Sequence, residues 1–334
     1  MKQALKWLPQ LEDFDIRKLR ISPPIAALIL ATTLFLLSGL LPNGFNNASQ
    51  AVRQAVNILR LSAFLGMIAA GQTIVIISGG EGIDLSAGAL VTLSAILVYG
   101  IVDGQNSMML SGFVVALGMG AAIGFINGIG ISVLKISPLV MTLGMAGVVE
   151  GLILVVTQGV LDGGAAPIMV RLIARPLIFG IPGAIIIWVI LGAIMWLLLN
   201  RTAYGKHLFA IGVNRATARL SGVDVTWTVI ATYTLAGMLA AFGGFMLLGF
   251  TQMVFLNLGT PYLFPSIAAV AVGGTLLAGG KGSYFGTMAG AIVLTLITSL
   301  LTTMQLPDSI RQMILGTTLL VIISIYGRSR GLRQ

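Results

Sequence analysis

Between Pro24 and Tyr326 the chain is almost entirely apolar runs of helix length, separated by turns of a few residues. That pattern leaves little choice of fold. A helix needs about 20 mostly apolar residues to cross a hydrocarbon core of roughly 30 Å. Backbone groups in that core must pair within the chain, and membrane strands would show polarity alternating over ~10 residues. Here there is no such alternation. Composition agrees: 57% of residues are hydrophobic and 9% charged, against about 25% charged in a soluble domain. The chain reads as an all-α integral membrane protein, a polytopic bundle of about ten transmembrane helices.

Apolar length and breaker residues place the spans near 24–41, 58–79, 86–102, 108–134, 138–158, 180–199, 227–249, 263–279, 284–303 and 308–326. Prolines 23, 42, 138, 182 and 307 sit at their edges, where they cost few helix hydrogen bonds. Ten spans put both termini on one side. The lysines and arginines then divide 14 to 5 of a total of 19. The larger group includes Lys135, Arg201, Lys206, Arg215, Arg219 and Lys281, and the smaller is Arg53, Arg60, Arg171, Arg175 and Arg311. The excess predicts cytoplasmic termini and a cytoplasmic 200–224 loop. Residues 1–22 read as a cytoplasmic segment lying along the membrane, 23–327 as one transmembrane domain, and 328–334 as a cytoplasmic tail. No removable signal peptide is recognised.

The net charge of +9 is explained by topology and leaves no soluble basic domain for nucleic acid. The absence of cysteine excludes disulfides and thiolate metal sites. One histidine and no HExxH leave no metal or catalytic set. GGTLLAGGKGS at 273–283 only superficially resembles a phosphate loop. Thr275 stands where a glycine is needed, and Gly282 follows Lys281. A tight cytoplasmic turn is expected there instead.

One long polar interruption remains, NRTAYGKHLFAIGVNRATARLSGVD at 200–224. It is basic and partly amphipathic, holds His207, and reads as a cytoplasmic dock for a soluble partner. The external connection 159–179 reads as a Gly/Ala-rich turn plus a short surface helix. Segments 68–80 and 267–280 echo each other, as the repeats of some transporters do, and chance similarity is equally open.

Polar residues within spans mark candidate sites. Gly79–Gly88, GGEGIDLSAG, allows an unwound turn, with Asp84 or Ser86 capping the next helix or facing a polar pathway. Glu150 lies inside the fifth span, where an ionisable group is costly and is read as functional by default. Gln72, Thr73, Asn127 and Thr142 either face the same cavity or hydrogen-bond between helices. Gly120, Gly124 and Gly128 recur every four residues, which aligns them for close helix packing.

Four blocks in order resemble the membrane subunits of bacterial ABC importers for monosaccharides of the ribose and xylose type. They are GQTIVIISGGEGIDLSAG (71–88), NGIGISVLKISPLVMTLG (127–144), YGKHLFAIGVNRATARLSGVDV (204–225) and IAAVAVGGTLLAGGKGSYFGTMAGA (267–291). The resemblance implies a permease of about ten helices that carries a sugar through a subunit pair, identical or sister. It also implies a cytoplasmic ATPase that holds the ATP, a periplasmic sugar-binding protein, and no cofactor on this chain. It assigns Ala210, Gly212, Asn214, Ala216, Arg219, Leu220, Ser221 and Gly222 to the coupling helix that seats in the ATPase. Several positions depart from the family pattern: Glu81 and Gly82 are inserted, Arg215 stands where glutamate is common, Glu150 replaces a frequent arginine, and no acid precedes the eighth span. Other cargoes (branched-chain amino acids, nucleosides, a signalling furanose), a stand-alone channel and an intramembrane hydrolase are the competing readings.

Overall fold

The computed structural model describes residues 22–40, 44–45, 47–178, 180–307, 309–314 and 316–317. The expected N-terminal segment, the C-terminal tail and most of the tenth span lie outside these residues. The helices are α1 (Pro23–Leu40), α2 (Ala48–Ile77), α3 (Ala87–Val102), α4 (Met109–Ser132), α5 (Pro138–Thr157) and α6 (Pro167–Ile173). They continue with α7 (Gly183–Arg201), α8 (Ala203–Val213), α9 (Arg215–Leu220), α10 (Val225–Thr251), α11 (Leu263–Val272) and α12 (Tyr284–Thr303). A two-stranded ladder, β1 (Pro176–Ile178) with β2 (Ile181–Pro182), follows α6. Among the described residues, seven helices are long and apolar enough to cross a membrane. The apolar helices over 87–102 and 260–272 are shorter. Nine of the ten expected spans therefore correspond to helices.

Two boundaries differ from expectation, each for a physical reason. The second span begins ten residues early, because Asn47 accepts a hydrogen bond from the Gln50 amide and starts α2 at Ala48. Gln50, Arg53, Gln54 and Asn57 interrupt the apolar pattern without interrupting the helix. The eighth span stops at Val272, because Gly274, Gly279 and Gly280 all take positive φ, which breaks a right-handed helix.

α2 is the axis of the bundle, with most of its apolar window buried. α10 packs against α4, α3 and α2, and α11 and α12 close the other flank of α2. Trp188 Nε1 on α7 donates to the Tyr284 hydroxyl (3.1 Å), which donates to the Gly66 carbonyl (2.9 Å). One hydrogen-bonded chain thereby joins α7, α12 and α2. α1 adds a smaller apolar contact through Ala27 and Ala31 against Ile58, Ala289 and Val293.

The glycine stripe of α4 serves packing within the chain. A Cβ at Gly124 would lie 2.2 Å from the Tyr233 carbonyl, and one at Gly120 2.4 Å from that of Gly237. From α10, a Cβ at Gly237 would lie 2.2 Å from the Gly120 carbonyl. The two backbones touch, and a side chain on either side would hold them apart.

The connection 159–179 contains the expected short helix, with Met169 and Ile173 of α6 buried in the bundle. The ladder beside it went unanticipated. Its strands are too short to show alternation.

Candidate coupling site

The turns 79–86, 133–137, 202–224 and 273–283 gather at one end of the bundle. There the polar segment folds into two helices set by local capping. Thr202 Oγ1 accepts from the Gly205 amide (3.2 Å) and starts α8. Asn214 Oδ1 accepts from the Thr217 amide (3.0 Å) and starts α9. α9 ends in a left-handed Gly222 (φ 84°), with Gly222 N–H bonding the Arg219 carbonyl and Val223 N–H bonding that of Ala218 (both 3.0 Å). This is the Schellman termination. Asp224 then caps α10 through the Trp227 amide (3.0 Å).

Gly212, at the joint between α8 and α9, seats this segment on the bundle. A Cβ there would lie 2.0 Å from the Ile77 carbonyl and 2.5 Å from the Gly280 amide nitrogen. Gly280 N–H donates to the same Ile77 carbonyl (2.9 Å), and a Cβ at Gly279 would lie 2.4 Å from the Gly79 Cα. The ends of the two echoing segments, 68–80 and 267–280, thus meet beneath residue 212. Only glycine lets three backbones approach this closely.

Arg215 strengthens the seat. Its guanidinium lies against Gly80 and donates through Nη2 to the Gly79 carbonyl (3.3 Å). Tyr204 bonds Thr232 Oγ1 (3.0 Å), pinning α8 to α10. Burial pushes the Tyr204 phenol up to about 12, so it stays protonated. Leu208, Ile211 and Ala218 face inward, whereas Val213 is 75% exposed and Leu220 90% exposed. Ala216, Arg219 and Gly222 are exposed beside them, and Ala210 is half-buried at the joint. The result is a rigidly seated basic helix pair that presents two bare apolar side chains outward.

Five of the remaining candidates, Gln72, Asp84, Ser86, Asn127 and Thr142, form a second cluster at the 79–86 turn. Gln72 Nε2 donates to the Asp84 carbonyl (2.6 Å), and the Asp84 amide donates to Gln72 Oε1 (3.3 Å). Thr142 Oγ1 accepts from the Leu85 amide (3.0 Å), and Asn127 Nδ2 donates to Ser86 Oγ (3.0 Å). Spans two, four and five are therefore stitched to one turn. Thr73 bonds Thr287 on α12 (2.8 Å).

Gln72, Thr73, Asp84, Ser86, Asn127 and Thr142 are all buried inside the chain. They make the interhelical bonds that were one of their two readings. The capping expectation needs correction. Ser86 occupies the cap position of α3 without a side-chain cap bond. The Asp84 carboxylate instead accepts from the Ser86 amide (2.9 Å) and hydroxyl, two residues on. The inserted Glu81 takes positive φ (61°) and forms the turn with Gly79 and Gly80, so the amide geometry serves the turn before it can serve the helix. Glu150 does not join the cluster: it is exposed on α5.

Gln72→Leu should leave the Asp84 amide and carbonyl buried without partners, a cost of about 1–3 kcal/mol for each unsatisfied group. The expected result is a lower midpoint of thermal unfolding in detergent, with Gln72→Glu no milder, because it removes the donor to the Asp84 carbonyl and buries a second carboxyl beside Asp84.

Apolar helices linked at one end by a seated basic helix pair define a multi-pass membrane protein. The family model described as branched-chain amino acid transport system / permease component matches residues 54–323. The chain belongs to that family of transport-system permeases. It is 35% identical over 270 residues to the ribose import permease protein of Bacillus subtilis (strain 168), covering 80% of this chain and 83% of that one. It is 31% identical over 306 residues to the autoinducer 2 import system permease protein of Escherichia coli O9:H4 (strain HS), covering 92% and 87%. It is 30% identical over 275 residues to the fructose import permease protein of Rhizobium meliloti, covering 80% and 76%. No solved structure matches.

Proposed function

We propose that this chain is the translocating subunit of an ATP-driven importer for a monosaccharide, with α8 and α9 as its contact with a cytoplasmic ATPase. The observation that carries this reading is the seat of Gly212. Any push on α9 reaches the Gly79 and Gly279 turns through backbone contact, and the 79–86 turn is in turn bonded to α2, α4 and α5. A stand-alone channel has no use for such a transmission. The sugar cargo rests on the named relatives, whose substrates are ribose, fructose and autoinducer 2. The chain itself holds no nucleotide-binding loop, so ATP belongs on the partner. The far end of the bundle has a cavity of about 430 Å³ lined by Gln50, Arg53, Gln54 and Asn57, among others. Its polar lining and outward placement suit contact with a periplasmic binding protein.

Leu220→Asp tests the dock without touching the bundle, since Leu220 makes little contact within the chain. Burying a leucine is worth about 1.5–3 kcal/mol, so roughly tenfold or more less ATPase should co-purify while the chain stays folded. Undiminished ATPase recovery from Leu220→Asp and Val213→Asp together would refute this dock.

A further inference from the structure

The cavity at the far end of the bundle carries a polar pattern that the coupling segment does not use. α2 runs from that end to Ile77, which lies at the seat of Gly212. Asn57 stands 20 residues before Ile77. At 1.5 Å per residue that is about 30 Å, the thickness of a hydrocarbon core. The polar turns of α2 therefore reach the opposite membrane surface. There Gln50, Arg53, Gln54 and Asn57 share one helix face at three- and four-residue spacing, and Ser38 of α1 and Thr303 of α12 complete the wall.

Two carboxamides in this wall are fixed in opposite senses. Gln54 Nε2 donates to Ser299 Oγ on α12 (3.1 Å), which leaves Gln54 Oε1 as an acceptor. Arg60 Nη2 donates to Asn57 Oδ1 (2.7 Å), which leaves Asn57 Nδ2 as a donor. The Arg60 guanidinium lies over the Phe250 ring (5.1 Å), so the group that orients Asn57 is itself held. Among the described residues, neither remaining amide atom has a partner, and nor does the Arg53 guanidinium.

This set selects a ligand class. An anion would meet the Gln54 carbonyl oxygen, and a cation would meet Arg53 and the Asn57 amide. A neutral molecule with adjacent hydroxyls satisfies all three, because each hydroxyl both donates and accepts. Phe45, stacked on Phe35 with centroids 5.2 Å apart, adds an apolar wall for the C–H face of a ring. The volume of about 430 Å³ falls within the range of small-molecule sites.

We propose that this cavity, enclosed by α1, α2 and α12 of a single chain, is a reception site for a monosaccharide. Gln54 Oε1 accepts from one hydroxyl of a vicinal pair, and Asn57 Nδ2 and Arg53 donate to its neighbour. Arg60 is the positioning residue that sets the sense of the Asn57 amide. The inference rests on the reading of the chain as a sugar importer, and a binding protein seated over this mouth would release its sugar directly into it.

The chain has no cysteine, so Thr303→Cys gives a single thiol in the cavity wall. The full-length chain in nanodiscs, without binding protein, would be labelled with a membrane-impermeant maleimide. D-ribose, D-fructose and ribose 5-phosphate would serve as protectants, with glycine betaine as the osmotic control. At least one of the two neutral sugars should slow labelling severalfold. Asn57→Asp keeps the bond from Arg60 but loses the donor, and should weaken protection about tenfold. Gln54→Glu keeps its acceptor and should retain protection. No protection by either neutral sugar, full protection in Asn57→Asp, or stronger protection by ribose 5-phosphate than by ribose would overturn the inference. ATPase recovery from the same membranes separates the two readings. Absent protection with ATPase recovered removes only this site, whereas protection without ATPase supports the site and counts against the importer.

Discussion

Gly212→Ala should abolish transport while the chain still inserts and folds. The added methyl would lie 2.0 Å from the Ile77 carbonyl and 2.5 Å from the Gly280 nitrogen, and neither is a side chain that can swing away. The joint must lift by an ångström or more. Forcing one methyl into packed atoms costs typically 1–3 kcal/mol, and here the strain falls on the backbone contact between the α8–α9 joint and the transmembrane turns. α2, α4 and α10 keep their own contacts, so the loss should appear as uncoupling. Proteoliposomes with ATPase and binding protein should lose substrate-stimulated ATP hydrolysis and uptake by tenfold or more, with the thermal midpoint lowered by only several degrees. Gly222→Ala is the control. It also sits at positive φ (84°) but meets nothing within 4 Å. Its strain is local, roughly 1–2 kcal/mol, and coupling should survive. Equal damage from the two substitutions would mean that backbone flexibility, rather than the seat, matters at residue 212.

The second large effect is expected on folding itself. Gly124→Leu places a side chain whose first carbon would lie 2.2 Å from the Tyr233 carbonyl and 2.9 Å from the Thr234 Cα. It would wedge apart α4 and α10. Such overpacking costs 1–3 kcal/mol or more, a large part of the 5–15 kcal/mol that stabilises a typical domain. Separation of the seam also releases the contacts at Gly120 and Gly237. The variant should be recovered as aggregate or degraded, with little monodisperse protein by size-exclusion chromatography. Gly118→Ala, on the same helix with nothing within 4 Å, should behave as wild type. A well-folded Gly124→Leu would show that the two helices are not in backbone contact.

Much of this architecture was legible in the chain because lipid imposes simple rules. Apolar length located nine of the helices, seven of them long enough to cross a membrane, and the four-residue glycine spacing on α4 located a close contact. The segment that folds into α8 and α9 announced itself by polarity, and Asn214, Gly222 and Asp224 are the residues that cap and terminate its helices. Other features could not be read. The N-terminal turns of α2 carry Arg53, Gln54 and Asn57, and polarity there looked like a loop. The contact between Gly79, Gly212 and Gly279 joins three segments far apart in sequence, and a single glycine gives no hint of what it approaches. Asp84 has the same composition signature whether it caps a helix or closes a turn, and only the path of the inserted Glu81 and Gly82 decides between them. Glu150 was legible as an anomaly, but its isolation on an open face required the packing of α5 to be known.

The most direct test of the coupling role is the side of the membrane on which α9 lies. Leu220→Cys in the naturally cysteine-free chain can be labelled with a membrane-impermeant thiol reagent. Inside-out vesicles stripped of ATPase should label strongly, intact cells should not, and adding ATPase back should protect the cysteine. Labelling from the outer face of intact cells, or no protection by the ATPase, would contradict the assignment of residues 203–222 as the contact through which ATP hydrolysis drives this permease.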